Sequence, residues 1–315
     1  MSETGGKVAF WGGQTAAVTT DWRQEASVED LREYDAFGPW IDPVRSADDM
    51  PRVFRRFYPE LAESRILLKV PKDVERAQAR PGDDLYAAVL AVRERGITML
   101  RLRPDGVDRR DVAWPQVVGV TTYLNLLVSR WTLLLADGDR FELDYNSVGV
   151  HTMAAVTDHV RAQLTLGIDA SRQPALGSVR ISDDFFATRF AQLTRTFDAA
   201  AVALHFEPRN RLCRDSAGRR RLSTGVLLVD TPQELVILNR GEPTRRLFEA
   251  NYASGVTYAP YTALTSYTVL DPEPRRSFRT LVLQAGDQQI TQPCLEDPEQ
   301  ARPALAARGI PRTAP

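Results

Sequence analysis

Histidine, cysteine and lysine are nearly missing from this chain. Three histidines and two cysteines in 315 residues leave little material for the clusters that hold catalytic metals, and too few thiols for a disulfide framework. His151 and His159 stand eight residues apart, beyond the i to i+4 spacing that lets two helical histidines share an ion, and read as solvated helix residues. His205 is followed eight residues later by Cys213, with no second cysteine near and no glutamate placed as in a metalloprotease helix. No metal site and no cofactor are therefore expected. Cys213, between Arg211 and Arg214, would be a reactive thiol only if exposed.

Other absences exclude further classes. The formal net charge is −1, so no global field draws the chain to nucleic acid, which is not an expected partner. No apolar run reaches the length of a membrane span, and residues 1–20 lack the apolar core of a signal peptide, so a cytoplasmic protein with reduced thiols is expected. There is no G-x-S-x-G elbow, and the pairs at Gly5 and Gly12 lack the helix and lysine of a phosphate loop. Acidic doublets begin at Asp48, Asp83 and Asp183; the first and third precede amphipathic stretches and read as helix caps rather than acid-base pairs. No catalytic residue is assigned.

What the sequence does contain is itself, twice. Met50, Phe54, Phe57 and Leu61 are answered by Phe186, Phe190, Leu193 and Phe197. Pro71 is answered by Pro208, Leu90 and Val92 by Leu227 and Val229, and Ile97 and Met99 by Leu235 and Ile237. Pro115 is answered by Pro260, and the run 132–139 by 280–287. Conserved order over this distance marks a duplicated unit. Three parts are expected: an N-terminal tail or arm over 1–35, one module over 36–167 and a second over 174–315.

The elements expected in the first copy are a helix from Asp48 with Pro51 in its first turn, short strands over 66–70, 85–93 and 97–102, and a polar loop over 104–111. A long strand over 116–128 follows, then a hairpin turning at Asp137 and Gly138. Leu133, Leu135, Phe141, Leu143 and Tyr145 are placed on one buried face of that hairpin. A closing helix carries Met153, Val156, Val160 and Leu164. The second copy repeats the order: a helix from Asp183, strands over 202–206, 226–229, 234–239, 258–269, 280–283 and 288–291, and a helix from Asp297 interrupted by Pro303. The class is α+β, two tandem antiparallel β-sheet modules with flanking helices.

A meander whose last hairpin reads Thr132-Leu-Leu-Leu-Ala-Asp-Gly-Asp139 and runs into an amphipathic helix resembles the bacterial pleckstrin-homology-like (PH-like) proteins, here as two modules in tandem. The resemblance is fuller over 66–166 than over 202–308, and it implies a curved sheet or partly open barrel closed by a C-terminal helix. It also implies a non-catalytic binding or scaffold role, with self-association or a protein partner, and peripheral membrane contact as a further use. In family members that bind phosphoinositides, the loop between the first two strands grips the headgroup. Here that loop carries Arg209, Arg211, Arg214, Arg219, Arg220 and Arg221, whereas its counterpart over 72–84 mixes charges. An anionic ligand is thus expected at the second module. The longer loops of that module add Arg245, Arg246, Phe248, Tyr252, Arg275 and Arg276, an arginine and aromatic mixture suited to a protein-binding edge. The alternative is an enzyme with an active site between the modules, using groups such as His205, Glu207, Tyr252 and Asp271.

Overall fold

The computed structural model describes residues 23, 25–169, 179–196, 200–214, 217–241, 253–272, 277–299 and 301–314. The fold is α+β and almost entirely antiparallel, and no sheet closes into a barrel among the described residues. After helix α1 (Val28–Ala36) a five-stranded sheet has the order β1 (Asp42–Pro43), β2 (Ile66–Pro71), β3 (Tyr86–Arg93), β4 (Gly96–Arg103) and β5 (Gly106–Ala113). A meander of β6 (Val117–Asn125), β7 (Val128–Leu135) and β8 (Arg140–Asn146) then leads into α3 (Val150–Leu164). A short helix α2 (Tyr58–Leu61) lies between β1 and β2.

The same order returns. Helix α4 (Asp184–Thr196) precedes β9 (Val202–Glu207), a small hairpin of β10 (Leu212–Arg214) and β11 (Arg220–Leu222), then β12 (Val226–Asp230), β13 (Glu234–Asn239) and β14 (Ser254–Pro260). A meander of β15 (Ser266–Leu270), β16 (Arg279–Ala285) and β17 (Gln288–Cys294) leads into α5 (Ala301–Ala307).

The halves are not beads on a string. Strand β6 pairs with β14, so the meander of the first half and the four long strands of the second form one seven-stranded sheet, β8-β7-β6-β14-β13-β12-β9. Further contacts tie the junction. Arg161 on α3 donates through Nη2 to Glu234 Oε1 at 2.5 Å while its guanidinium lies 4.0 Å from the centre of the Tyr258 ring. The two equivalent hairpin turns also touch, Asp287 N–H donating to Ala136 O at 2.6 Å. Gly286 sits at that contact with φ +60°, where a Cβ would stand 2.5 Å from the Ala136 carbonyl oxygen.

Each four-stranded layer is covered on both faces. In the first half, Leu68, Leu90 and Met99 face Trp131, Leu133, Phe141 and Val156 in one apolar cluster, and Val89, Ala91 and Leu100 face Phe37, Met50 and Phe54 in another. In the second half, Leu228 and Ile237 face Leu281, Leu283 and Leu305, while Leu227 and Val229 face Phe186 and Leu193, so the residue placed like Leu90 is Leu228 and not, as expected, Leu227. The face expected for Leu133, Leu135, Phe141, Leu143 and Tyr145 is the face observed, because side chains alternate along both strands. Met153, Val156 and Val160 are buried on α3, again as expected.

Several expectations are corrected. The supposed arm over 1–35 contains α1, capped by Ser27 Oγ accepting from Asp30 N–H at 3.1 Å, with Tyr34 buried. Asp48 and Asp49 cap no helix: Asp48 pairs with Arg32 at 3.4 Å, and Asp49 accepts from Arg45 N–H at 3.1 Å. The expected helix there is a 3-10 segment, Arg52–Phe57, followed by α2. Pro59 explains the break, since it lacks the N–H that would bond back to residue 55 and its ring would crowd that carbonyl. Asp183, by contrast, does cap α4, its Oδ1 accepting from Phe185 N–H at 3.0 Å.

The polar loop expected over 104–111 is strand β5. Its charged side chains are tolerated because it is an edge: Arg109 bonds Glu60 at 2.6 Å and Asp111 at 2.8 Å. The single strands expected over 116–128 and 258–269 are each broken. Leu126 turns with φ +52° between β6 and β7, and residues 261–265 turn between β14 and β15. The closing helix begins at Ala301, not Asp297, which places Pro303 in its first turn, where a missing N–H costs no helical bond.

Candidate functional site

The arginine run lies on the β10–β11 hairpin, which fills the link between the first two long strands of the second half; the corresponding link of the first half, 72–84, holds no strand. The hairpin is held by Ser223, whose O accepts from Asn210 N–H at 2.7 Å and whose Oγ accepts from Arg211 N–H at 3.2 Å. Register pairs Leu212 with Leu222, Cys213 with Arg221 and Arg214 with Arg220. Alternation therefore puts Leu212, Arg214, Arg220 and Leu222 on one face, and Leu212, Arg214 and Arg220 are exposed. Cys213 points the other way and is buried, so the reactive thiol considered from its arginine neighbours is excluded by position.

Arg209, Arg211 and Arg219 are exposed as well, and Arg221 is half-buried. Arg209 meets Asp183 at 3.0 Å and Arg211 meets Glu296 at 2.5 Å. Arg240 lies over the Phe185 ring at 4.6 Å; burial, and next the charge of Arg209, lower its pKa, which places both cations in one neighbourhood.

Register also shows what shares this end of the seven-stranded sheet. Glu207 neighbours Val226, Val226 neighbours Asn239, Asn239 neighbours Gly255, and Gly255 neighbours Tyr123. The β6–β7 turn, Leu126 and Leu127, thus lies on the same rim as the arginine hairpin. Leu126, Leu127 and Val128 are each more than half exposed, as is Val148, whose segment is tied to the turn by Ser147 N–H donating to Leu127 O at 2.9 Å. At about 4.8 Å per strand, the apolar tip and the hairpin are roughly 20 Å apart. The apolar run 126–128 was readable in the sequence, but reading it as part of a strand hid its exposure.

The remaining candidates are scattered. Arg245, Arg246, Phe248, Tyr252, Arg275 and Arg276 lie outside the described residues. His159 packs edge-on against Trp114, 6.3 Å between ring centres, while His151 is exposed. Asp271 is exposed and pairs with Arg279 at 2.6 Å.

His205 and Glu207 do meet. They project from the same face of β9, and His205 Nε2 lies 2.9 Å from Glu207 Oε1. The cysteine beside them is Cys294, at the end of β17, not Cys213, and a ring nitrogen of His205, a carboxylate oxygen of Glu207 and Cys294 Sγ all lie within 4.8 Å of one another. Nothing in the spacing of the sequence points to Cys294, because the approach is tertiary, across 89 positions of the chain. Glu207 Oε1 also accepts from Glu296 N–H at 2.9 Å. Burial pushes the Cys294 thiol well above its ordinary pKa, and the charges of Glu207 and Asp297 push it further. No family model matches this chain, and no curated protein matches it in sequence.

Proposed function

We propose that this is a cytoplasmic, non-catalytic binding protein of two PH-like modules, 36–167 and 174–315, that attaches to anionic lipid surfaces through the rim described above. The observation that carries the reading is the presence on one sheet end of an arginine hairpin and an exposed apolar turn. Arg214 and Arg220 stand directly opposite each other, an arrangement that destabilises a bare hairpin and that a bound phosphate would relieve. Exposed apolar side chains grouped at one place are the other half of a peripheral membrane contact.

The magnitudes require both parts. A cation at an anionic surface contributes about 1 kcal/mol, and because Arg209 and Arg211 already meet carboxylates, the arginines alone supply well short of the roughly 8 kcal/mol of micromolar attachment. Insertion of Leu126, Leu127 and Val128, at about 1.5–3 kcal/mol for each side chain fully buried, supplies the other part. No helix among the described residues is long and apolar enough to cross a membrane, and attachment of this kind needs none.

The test is sedimentation with vesicles of neutral phosphatidylcholine, with and without phosphatidylserine or a phosphorylated inositol lipid, at low and moderate salt. Binding is expected only with anionic lipid, weakening as salt rises. The double variant Arg214→Ala, Arg220→Ala should lose about tenfold or more, and Leu126→Ser, Leu127→Ser a similar factor. Failure of the wild type to bind any vesicle overturns the reading in favour of a protein partner.

A further inference from the structure

His205, Glu207 and Cys294 occupy positions that the first half fills with aliphatic core. Leu68 pairs with Leu90 and Val70 with Ala88 on β2, as His205 pairs with Leu228 and Glu207 with Val226 on β9. Leu143 pairs with Trp131 on β8, as Cys294 pairs with Arg279 on β17. Leu68, Val70 and Leu143 belong to one apolar cluster. Their counterparts are equally buried, at 7%, 1% and 0% exposure for His205, Glu207 and Cys294. An imidazole, a carboxylate and a thiol have thus replaced hydrocarbon at one point where the seven-stranded and three-stranded sheets meet.

We infer that His205, Glu207 and Cys294 bind a divalent transition ion, zinc fitting best, which clamps β9 to β17 beneath the arginine hairpin. The donor set decides the metal class: a sulfur with an imidazole nitrogen disfavours calcium and magnesium and suits zinc. Charge decides in the same direction. A buried carboxylate is costly without a cation, and on binding the Cys294 S–H bond breaks, its proton leaving to solvent and its electron pair going to the metal. The carboxylate and thiolate then carry two negative charges against the ion's two positive ones, with the histidine neutral.

Distances agree. Donors on a tetrahedral zinc stand about 3.3–3.7 Å apart, so the His205 and Glu207 atoms, at 2.9 Å, need open by about half an ångström, and Cys294, within 4.8 Å of both, need close by about 1 Å at most. The Glu296 N–H orients the Glu207 carboxylate, the role that outer-shell partners play at metal sites. A separate observation points to the same corner: the Oδ1 atom of Asp297, three residues beyond Cys294, is buried with no hydrogen-bond partner among the described residues. Because Arg211 of the hairpin holds Glu296, an ion here would also stiffen the base of the arginine hairpin.

The test uses the full chain stripped with a chelator and titrated with cobalt(II), then zinc(II). One equivalent of cobalt should bind with the charge-transfer band of a thiolate ligand, and zinc should displace it. Cys294→Ser should abolish that band and weaken zinc binding about a hundredfold or more, while Cys213→Ser changes neither. The double variant His205→Leu, Glu207→Val restores the first half's residues, and it should keep the native circular dichroism spectrum and lose the metal. Substoichiometric uptake by the wild type, or undiminished zinc affinity in Cys294→Ser, overturns the site. Vesicle binding is measured separately, so the lipid reading and the metal site can fail independently.

Discussion

The two halves share an order of strands and differ in what they place at matching points. In the first half the corner between the sheets is Leu68, Val70 and Leu143, and the following link is a loop of mixed charge. In the second half the same corner is His205, Glu207 and Cys294, and the link is a hairpin of arginines. One half has an apolar corner, and the other has polar groups at that corner and cations at its rim. The seven-stranded sheet joins the two halves, so the apolar core of the first half supports the same sheet that carries the polar corner.

The largest test of that comparison is the tie between the halves. Arg161 and Glu234 are a buried ion pair, and burial raises the Glu234 pKa even with the guanidinium beside it, so neither charge tolerates losing its partner. Glu234→Ala should cost about 3–5 kcal/mol in urea unfolding. A cost under about 1 kcal/mol would mean that the continuous sheet, not this pair, couples the halves.

Next in size is a matched pair of core truncations. Leu133 and Leu281 are equivalent and fully buried. Leu133→Ala and Leu281→Ala should each cost about 2–5 kcal/mol. If Leu281→Ala costs much less, the second core is the looser of the two, as its polar corner would suggest.

The smallest effect compares the touching turns. Gly138 and Gly286 both have positive φ, but a Cβ on Gly138 would lie 3.4 Å from the nearest atom and one on Gly286 only 2.5 Å from a backbone oxygen. Gly286→Ala should therefore cost more than about 1 kcal/mol in thermal or urea unfolding and exceed the cost of Gly138→Ala. Equal costs would mean that the contact at Ala136 yields freely.

Much of the fold was legible because it is local. Alternation placed Leu133, Phe141 and Leu143 inward, and Asp183 announced α4 by its capping position. What misled was also local: β5 reads as a loop because Asp108, Arg109, Arg110 and Asp111 are charged, yet an edge strand needs only one covered face. In the candidate site the arginines of the hairpin were legible as a cluster, while the exposed turn at Leu126 was not, since exposure of an apolar run depends on where its strand ends.

By itself the sequence determined the α+β class, the order of most elements and the inward face of most strands, all consequences of side-chain periodicity and turn chemistry over short spans. Only the tertiary structure decided that β6 pairs with β14, that the apolar turn and the arginine hairpin share a rim, and that Cys294 rather than Cys213 lies beside His205. Those contacts join residues about 90 to 140 positions apart, where register between distant strands, and no local propensity, sets which side chains meet.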